Sequence, residues 1–123
     1  MIWNWICAHF FGDFFLQNDC QAANKKKSSL VCLYHVLDYM LPFLFVGSVV
    51  SLNGIHVHFL DIEPWRLGLI AIQHFIQDRT NFVVWLMKVK GSANFVNPPC
   101  GPWSVILTDN LIHIFWIYLV LGL

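Results

Sequence analysis

Histidine and aspartate recur in this sequence as pairs with a fixed spacing of four residues. The three pairs are His9 with Asp13, His74 with Asp78, and Asp109 with His113. Residues four apart share one face of an α-helix, so both members of each pair are expected to point the same way. An imidazole and a carboxylate presented together can exchange a proton or bind a transition metal. These pairs are therefore the first candidates for chemistry in the chain.

Two segments add further polar groups. His35 is followed by Asp38 and Tyr39. On a helix with 100° between residues, the polar side chains around the second pair fall within an arc of about 140°. They are Gln73, His74, Gln77, Asp78 and Asn81. A lipid-facing helix would not carry such a stripe, so we expect it to face the interior of a helix bundle.

Carboxylates held at one level in a low dielectric repel each other, so protonation or a bound cation must neutralise them. Neutral imidazole and carboxylate suit zinc, iron and manganese, and paired His and acidic residues also build di-metal helix bundles. The pattern therefore predicts one or two divalent transition-metal ions, zinc first, with manganese or iron as alternatives. An interhelical hydrogen-bond network and a proton-handling site are the competing interpretations.

The elements that must position these residues are apolar. The chain is 58% hydrophobic and 11% charged over 123 residues, whereas soluble domains are about a quarter charged. Four apolar stretches have about the 20 residues needed to cross a bilayer; they span residues 2–20, 30–50, 64–87 and 103–121. The expected fold is an all-α integral membrane bundle of about four transmembrane helices, forming a single domain over residues 1–123.

Basic residues predict the orientation of this bundle. Lys25, Lys26, Lys27, Lys88 and Lys90 all fall in the first and third connectors. The positive-inside rule places those connectors in the cytoplasm and both termini outside it. The candidate side chains then share a layer about 8–14 Å below the cytoplasmic surface. Net charge is zero, which gives no reason to expect a nucleic-acid partner.

Four motifs resemble a known family along nearly the whole chain. Residues 9–17, HFFGDFFLQ, are similar to the HxxGDFxxQ opening of the small bacterial and phage membrane proteins grouped as domain of unknown function 3307. His35 with Tyr39 resembles the His-containing second helix of that family. Residues 74–78 resemble its HFxxD segment, and residues 109–113 its DQxxH segment with Asn110 in place of Gln. Asp38 is not part of the pattern.

The resemblance implies a multi-pass protein of the bacterial inner membrane and supports hypotheses for individual residues. The candidate metal ligands are His9, Asp13, His74, Asp78, Asp109 and His113. The candidate catalytic residues are His35, as a ligand or proton-transfer group, and Asp78. Gln17, Tyr39 and Gln77 are expected to support the ligands or contact substrate, and Gly12 to allow close helix approach.

Three functions follow as expectations. The first is a metal-dependent hydrolase acting on a lipid or lipid-linked phosphate at the cytoplasmic leaflet, since a bound ion can turn water into a nucleophile. The arrangement is also similar to that of membrane-bound metal-dependent hydrolases with His and Asp on transmembrane helices. The second is a small proton or metal-ion transporter, and the third a phage or bacterial membrane interaction protein without catalysis. The expected partners are the lipid bilayer and a lipid-phosphate substrate, with a homo-oligomer as an open option.

Overall fold

The computed structural model of the protein describes residues 2–46 and 62–122, and all regular structure within these ranges is helical. Six α-helices follow one another in chain order. They are α1 (Ile2–Phe10), α2 (Asp19–Asn24), α3 (Ser29–Val46), α4 (Pro64–Arg79), α5 (Phe82–Val89) and α6 (Gly101–Leu121). A π-helical turn, Phe11–Phe15, extends α1, and a 3-10 turn, Ala93–Val96, precedes α6.

Four of these helices close a ring. Helix α3 packs against α1 and α4, α4 packs against α6, and α6 returns to α1. The C-terminal half of α3 faces an apolar core with Tyr39 and Phe43 fully buried. Its N-terminal half carries His35, which is also fully buried. One helix therefore supports the apolar core at one level and the polar cluster at another.

Two of the four predicted spans are divided. Only α3 and α6, among the helices that the structure describes, have the length and apolar composition to cross a membrane. The prediction of four uninterrupted spans is therefore wrong in residues 2–20 and 64–87. The predicted end of the second span, residues 47–50, and most of the second connector lie outside the described residues.

The physical cause of each break is local. Asn18 and Gln21 form a capping box, in which Asn18 Oδ1 accepts from Gln21 N at 2.9 Å, so a new helix begins at Asp19. Such a box satisfies free N–H groups at a helix start. At the other break, Thr80 is extended (φ −113°, ψ 174°) and its hydroxyl donates to Ile76 O at 2.7 Å. The extended backbone of Thr80 ends α4, and its hydroxyl, bonded back to the last turn, further weakens the continuation of the helix.

Gly12 permits the closest helix contact. A Cβ at this position would lie 2.6 Å from the backbone oxygen of Tyr39 and 3.0 Å from its Cα. Only glycine lets the π-helical turn approach α3 this closely, which confirms the expected role of Gly12. The turn itself is marked by the bond from Leu16 N to Phe11 O at 3.1 Å. It presents Asp13 to the interior, where its side chain is 6% exposed.

Candidate metal centre

Three elements bring four donor side chains to one point. Asp13 comes from the π-helical turn, His35 from α3, and His74 and Asp78 from α4; we call them the first donor group. His35 Nε2 lies 3.2 Å from Asp13 Oδ1, 3.1 Å from His74 Nε2 and 3.0 Å from Asp78 Oδ2. His74 Nε2 lies 3.3 Å from Asp78 Oδ2 and 3.7 Å from Asp13 Oδ1.

These separations fit a tetrahedral ion. Ligand atoms about 2.0–2.1 Å from a tetrahedral zinc are about 3.3 Å from one another, and the five separations run from 3.0 to 3.7 Å. Both imidazoles have fully buried side chains and both carboxylates are at most 6% exposed. Two imidazoles and two carboxylates are also a donor set that zinc accepts. The first donor group therefore has the residues, spacing and burial of a metal site.

Lys25 is the cation that the structure places at this group. Its ammonium donates to Asp78 Oδ2 at 2.7 Å and lies 3.7 Å from Asp13 Oδ1 and 3.4 Å from His35 Nε2. Its side chain is 16% exposed. Burial lowers the pKa of the ammonium, but the charges of Asp78 and Asp13 offset this and raise the pKa overall. Lys25 therefore stays charged and balances the carboxylates.

Helix α2 holds Lys25 in place. Gln21, which is 6% exposed, donates from Nε2 to Asp38 Oδ2 on α3 at 2.6 Å. Lys25 N then donates to Gln21 O at 2.9 Å at the end of the same helix. Asp38 thus anchors the segment that carries the lysine, a role outside the family pattern.

A second donor group consists of Asp13, Asp109 and His113, whose ligand atoms lie within 4.8 Å of one another. His113 Nε2 lies 3.7 Å from Asp109 Oδ2 and 3.7 Å from Asp78 Oδ1. The side chain of His113 is fully buried and that of Asp109 is 24% exposed. Because Asp13 belongs to both groups and Asp78 reaches both, the groups are adjacent.

His9 is held differently from the other predicted ligands. Asn110 Nδ2 donates to Ile106 O at 2.8 Å, so the Oδ1 of Asn110 faces His9. This oxygen accepts a hydrogen bond from His9 Nε2 at 3.0 Å. His9 Nδ1 is then left to accept from the Tyr39 hydroxyl at 3.1 Å. Both ring nitrogens of His9 are therefore engaged, and it belongs to neither donor group. Direct metal binding by His9 stays a prediction.

The residues predicted to support the ligands also differ in whether they contact a donor group. The ring of Tyr39 stacks on His74 with 3.6 Å between centroids, and Gln77 Nε2 donates to Asp109 Oδ1 at 2.8 Å. Buried Gln17 Oε1, in contrast, has no hydrogen-bond partner among residues 2–46 and 62–122. Arg79 Nε donates to Ser29 Oγ at 3.1 Å, outside both donor groups.

Sequence reasoning missed Lys25 and Gln21. Lys25 belongs to a run of three lysines that we interpreted only as an orientation signal. The capping-box pattern from Asn18 to Gln21 was the available signal, because it marks the start of a new helix shortly before Lys25.

Fold and site together define a class of protein. The described residues form only helices, with a buried His/Asp cluster that could hold a metal ion and two helices long and apolar enough to cross a membrane. The family description "Protein of unknown function (DUF3307)" matches residues 1–122, and the chain belongs to this family. The resemblance drawn from the four motifs is thereby confirmed. No curated protein and no solved structure matches the chain.

Proposed function

We propose that this protein is a membrane-embedded, metal-dependent hydrolase that acts on a lipid or lipid-linked phosphate at the cytoplasmic leaflet of a bacterial inner membrane. The observation that carries the proposal is the first donor group, with four donor atoms from three elements at the spacing of a tetrahedral ion. Zinc is the preferred ion, with manganese or iron as alternatives.

The metal chemistry rests on the two imidazoles and two carboxylates. Four donors fill a tetrahedron, so a water would bind as a fifth ligand or in place of one carboxylate. A divalent ion held in this way would lower the pKa of that water to about 7. His35 and His74 would bind through Nε2, and Asp13 and Asp78 would neutralise the ion. Tyr39 fixes the plane of His74 by stacking, and its hydroxyl bonds to His9, so the ring has a defined orientation toward the site.

Surface composition supports the membrane setting. Helices α3 and α6 are long and apolar, and only 28% and 22% of the residues in their most apolar 18-residue segments are buried. Trp3 and Trp103 are 71% and 76% exposed. Exposed apolar surface of this extent marks contact with lipid or another protein, and Trp is enriched at membrane interfaces. We propose that the lysine-rich connectors lie in the cytoplasm and both termini outside it, an orientation that requires α1 and α4 to cross the bilayer together with the two longer helices.

Two neighbouring features support a phosphate-bearing lipid. Lys25 and Lys26 lie at the end of α4 that carries Asp78 and Thr80, where Lys26 Nζ donates to Thr80 O at 2.7 Å. Ammonium groups are common phosphate partners. An apolar cavity of about 440 Å³ runs beside the site with Gln73 and Gln77 as its polar lining. Leu69, Ile72, Ile76, Phe82, Ile112 and Trp116 supply the apolar lining, which suits an acyl or prenyl chain.

The test combines metal content with turnover. The full chain in mild detergent is assayed for phosphate release from diacylglycerol phosphate and polyprenyl phosphate micelles, with Zn²⁺ or Mn²⁺ added. His35→Gln is expected to lose the metal bound by the first donor group, and activity with it. Asp19→Asn changes an exposed aspartate on α2 and is expected to retain both.

Each result decides between the functions. Phosphate release that requires the metal and His35 supports the hydrolase. Bound metal without phosphate release, together with ion flux into proteoliposomes, would favour a transporter over the hydrolase. If the folded protein binds no transition metal after metal is added back, the proposed metal centre is overturned.

A further inference from the structure

Gln77 and Gln73 form a hydrogen-bond chain between two ligands of the second donor group, Asp109 and His113, and the donors and acceptors of this chain can be assigned in only one way. Gln77 Nε2 donates to the backbone oxygen of Asp109 at 2.9 Å and to its Oδ1 at 2.8 Å. A backbone carbonyl only accepts, so the amide of Gln77 cannot be reversed. Its Oε1 therefore accepts from Gln73 Nε2, and Gln73 Oε1 faces His113 Nδ1 at 3.1 Å.

This chain of amides fixes the tautomer of His113. Because Gln73 Oε1 is an acceptor, His113 Nδ1 must carry the proton, and the neutral ring presents a lone pair at Nε2. Nε2 is buried and has no hydrogen-bond partner in the described part of the chain. Its neighbours are Asp78 Oδ1 and Asp109 Oδ2, each at 3.7 Å. In the neutral ring, the lone pair of Nε2 thus faces two carboxylate oxygens.

A bound ion satisfies this arrangement better than a proton does. A hydrogen bond from a protonated Nε2 would require about 2.7–3.2 Å, shorter than either 3.7 Å separation. Ligands of one tetrahedral ion, by contrast, are about 3.3 Å apart, and 3.7 Å lies within the range of separations in the first donor group. Buried polar atoms that lack partners are rare enough in proteins to require an explanation.

We propose that Asp109 and His113 bind a second divalent transition-metal ion beside the first, with Asp13 and Asp78 shared between the two positions. Asp13 belongs to both donor groups. Asp78 directs Oδ2 to His35 and His74, and Oδ1 to His113. Two metal ions that share ligands are a common arrangement in phosphatases and nucleases. This inference rests on the proposed function for the first position and extends it to a dinuclear centre.

Metal stoichiometry tests the second position without relying on activity. The detergent-purified full chain is stripped with chelator, titrated with Zn²⁺, freed of excess metal by gel filtration and measured by elemental analysis. We expect two equivalents in the unchanged protein and one in His113→Gln. His35→Gln should also retain one equivalent, and the exposed control Asp19→Asn should retain two.

A spectroscopic measurement checks the proximity of the ions. Loading with Mn²⁺ should give an exchange-coupled electron paramagnetic resonance spectrum in the unchanged protein and an isolated-ion spectrum in His113→Gln. If His113→Gln does not fold, Asp109→Asn replaces it, since that side chain is 24% exposed.

The outcomes separate this inference from the proposed function. One equivalent in the unchanged protein, retained in His113→Gln, overturns the second position and leaves the first intact. Two equivalents that persist in both His113→Gln and Asp109→Asn also overturn it. No bound metal in the folded, unchanged protein overturns both proposals.

Discussion

The two donor groups share Asp13 but balance their charge differently. In the first group, the Lys25 ammonium lies 2.7 Å from Asp78 Oδ2. In the second, Asp109 forms no ion pair with Lys or Arg in the part of the chain that is described, and amides fix its ligands instead. The first group can thus be charge-balanced without a metal ion, because the Lys25 ammonium lies beside its carboxylates. The second is preorganised and, in our proposal, needs an ion.

Replacing Asp78 by Asn should affect both groups and give the largest effect. Asp78 contacts Lys25, His35 and His74 through Oδ2, and approaches His113 through Oδ1. Removing one partner of a buried ion pair costs about 3 kcal/mol, so unfolding in detergent should become easier. Metal affinity at both positions should fall roughly 100-fold, measured by Zn²⁺ titration.

Asp19→Asn is the matched control for this change, because Asp19 is exposed at the start of α2. Wild-type affinity at either position in Asp78→Asn would break the idea that this carboxylate joins the two groups.

Gly12→Ala tests the shared residue Asp13 through the backbone. The new methyl would lie 2.6 Å from Tyr39 O, and overpacking of this kind costs about 1–3 kcal/mol. Displacing the π-helical turn should weaken both metal positions together, measured by thermal unfolding and Zn²⁺ titration. Gly68→Ala is the control, since a Cβ there meets no atom within 4 Å in the described structure. Equal effects of the two substitutions would contradict the close-contact argument.

Gln73→Ala should separate the two groups. It removes the acceptor of His113 Nδ1 and frees the imidazole to change tautomer. Loss of such a supporting partner typically lowers metal affinity about 10- to 100-fold. We expect the lower end of that range at the second position and no change at the first. Ile72→Ala alters an exposed neighbour on α4 and should leave the metal affinity of both positions unchanged. If Gln73→Ala weakened metal binding at the first position only, our assignment would be reversed.

Helical spacing was sufficient to predict most of the cluster. His74 with Asp78, and Asp109 with His113, lie where the four-residue spacing places them, and Asp13 and His35, which the sequence also predicted, lie beside them. The hydropathy pattern also predicted α3 and α6 closely. Such patterns indicate which residues share a face of a helix and how long the helix is, so they predict correctly where one uninterrupted helix contains all the residues concerned.

Local hydrogen bonds decided what the patterns missed. The capping box at Asn18 and the back-bonded hydroxyl of Thr80 each end an apolar stretch that hydropathy treats as continuous. His9 has the same spacing to Asp13 as the other pairs, yet Asn110 and Tyr39 occupy its nitrogens. Which partner a ring nitrogen finds depends on three-dimensional packing, and one chain's periodicity does not encode it.

Lys25→Met tests the charge balance that distinguishes the first group, with the smallest expected effect. Metal binding there must move an ammonium that lies 2.7 Å from Asp78 Oδ2, which lowers affinity because like charges repel. Removing the charge should strengthen Zn²⁺ binding about tenfold, equivalent to about 1.4 kcal/mol, and destabilise the metal-free protein. The measurement is a competition titration in a His113→Gln background, which leaves the first position alone.

Lys26→Met is the control for this last change, because the Lys26 ammonium is exposed and donates to Thr80 O rather than to a donor group. It should leave Zn²⁺ affinity unchanged. Weaker binding in Lys25→Met would mean that the lysine supports the metal-bound form, for instance by orienting Asp78. The two groups would then differ in how their ligands are oriented, since a competing cation would no longer account for the contrast.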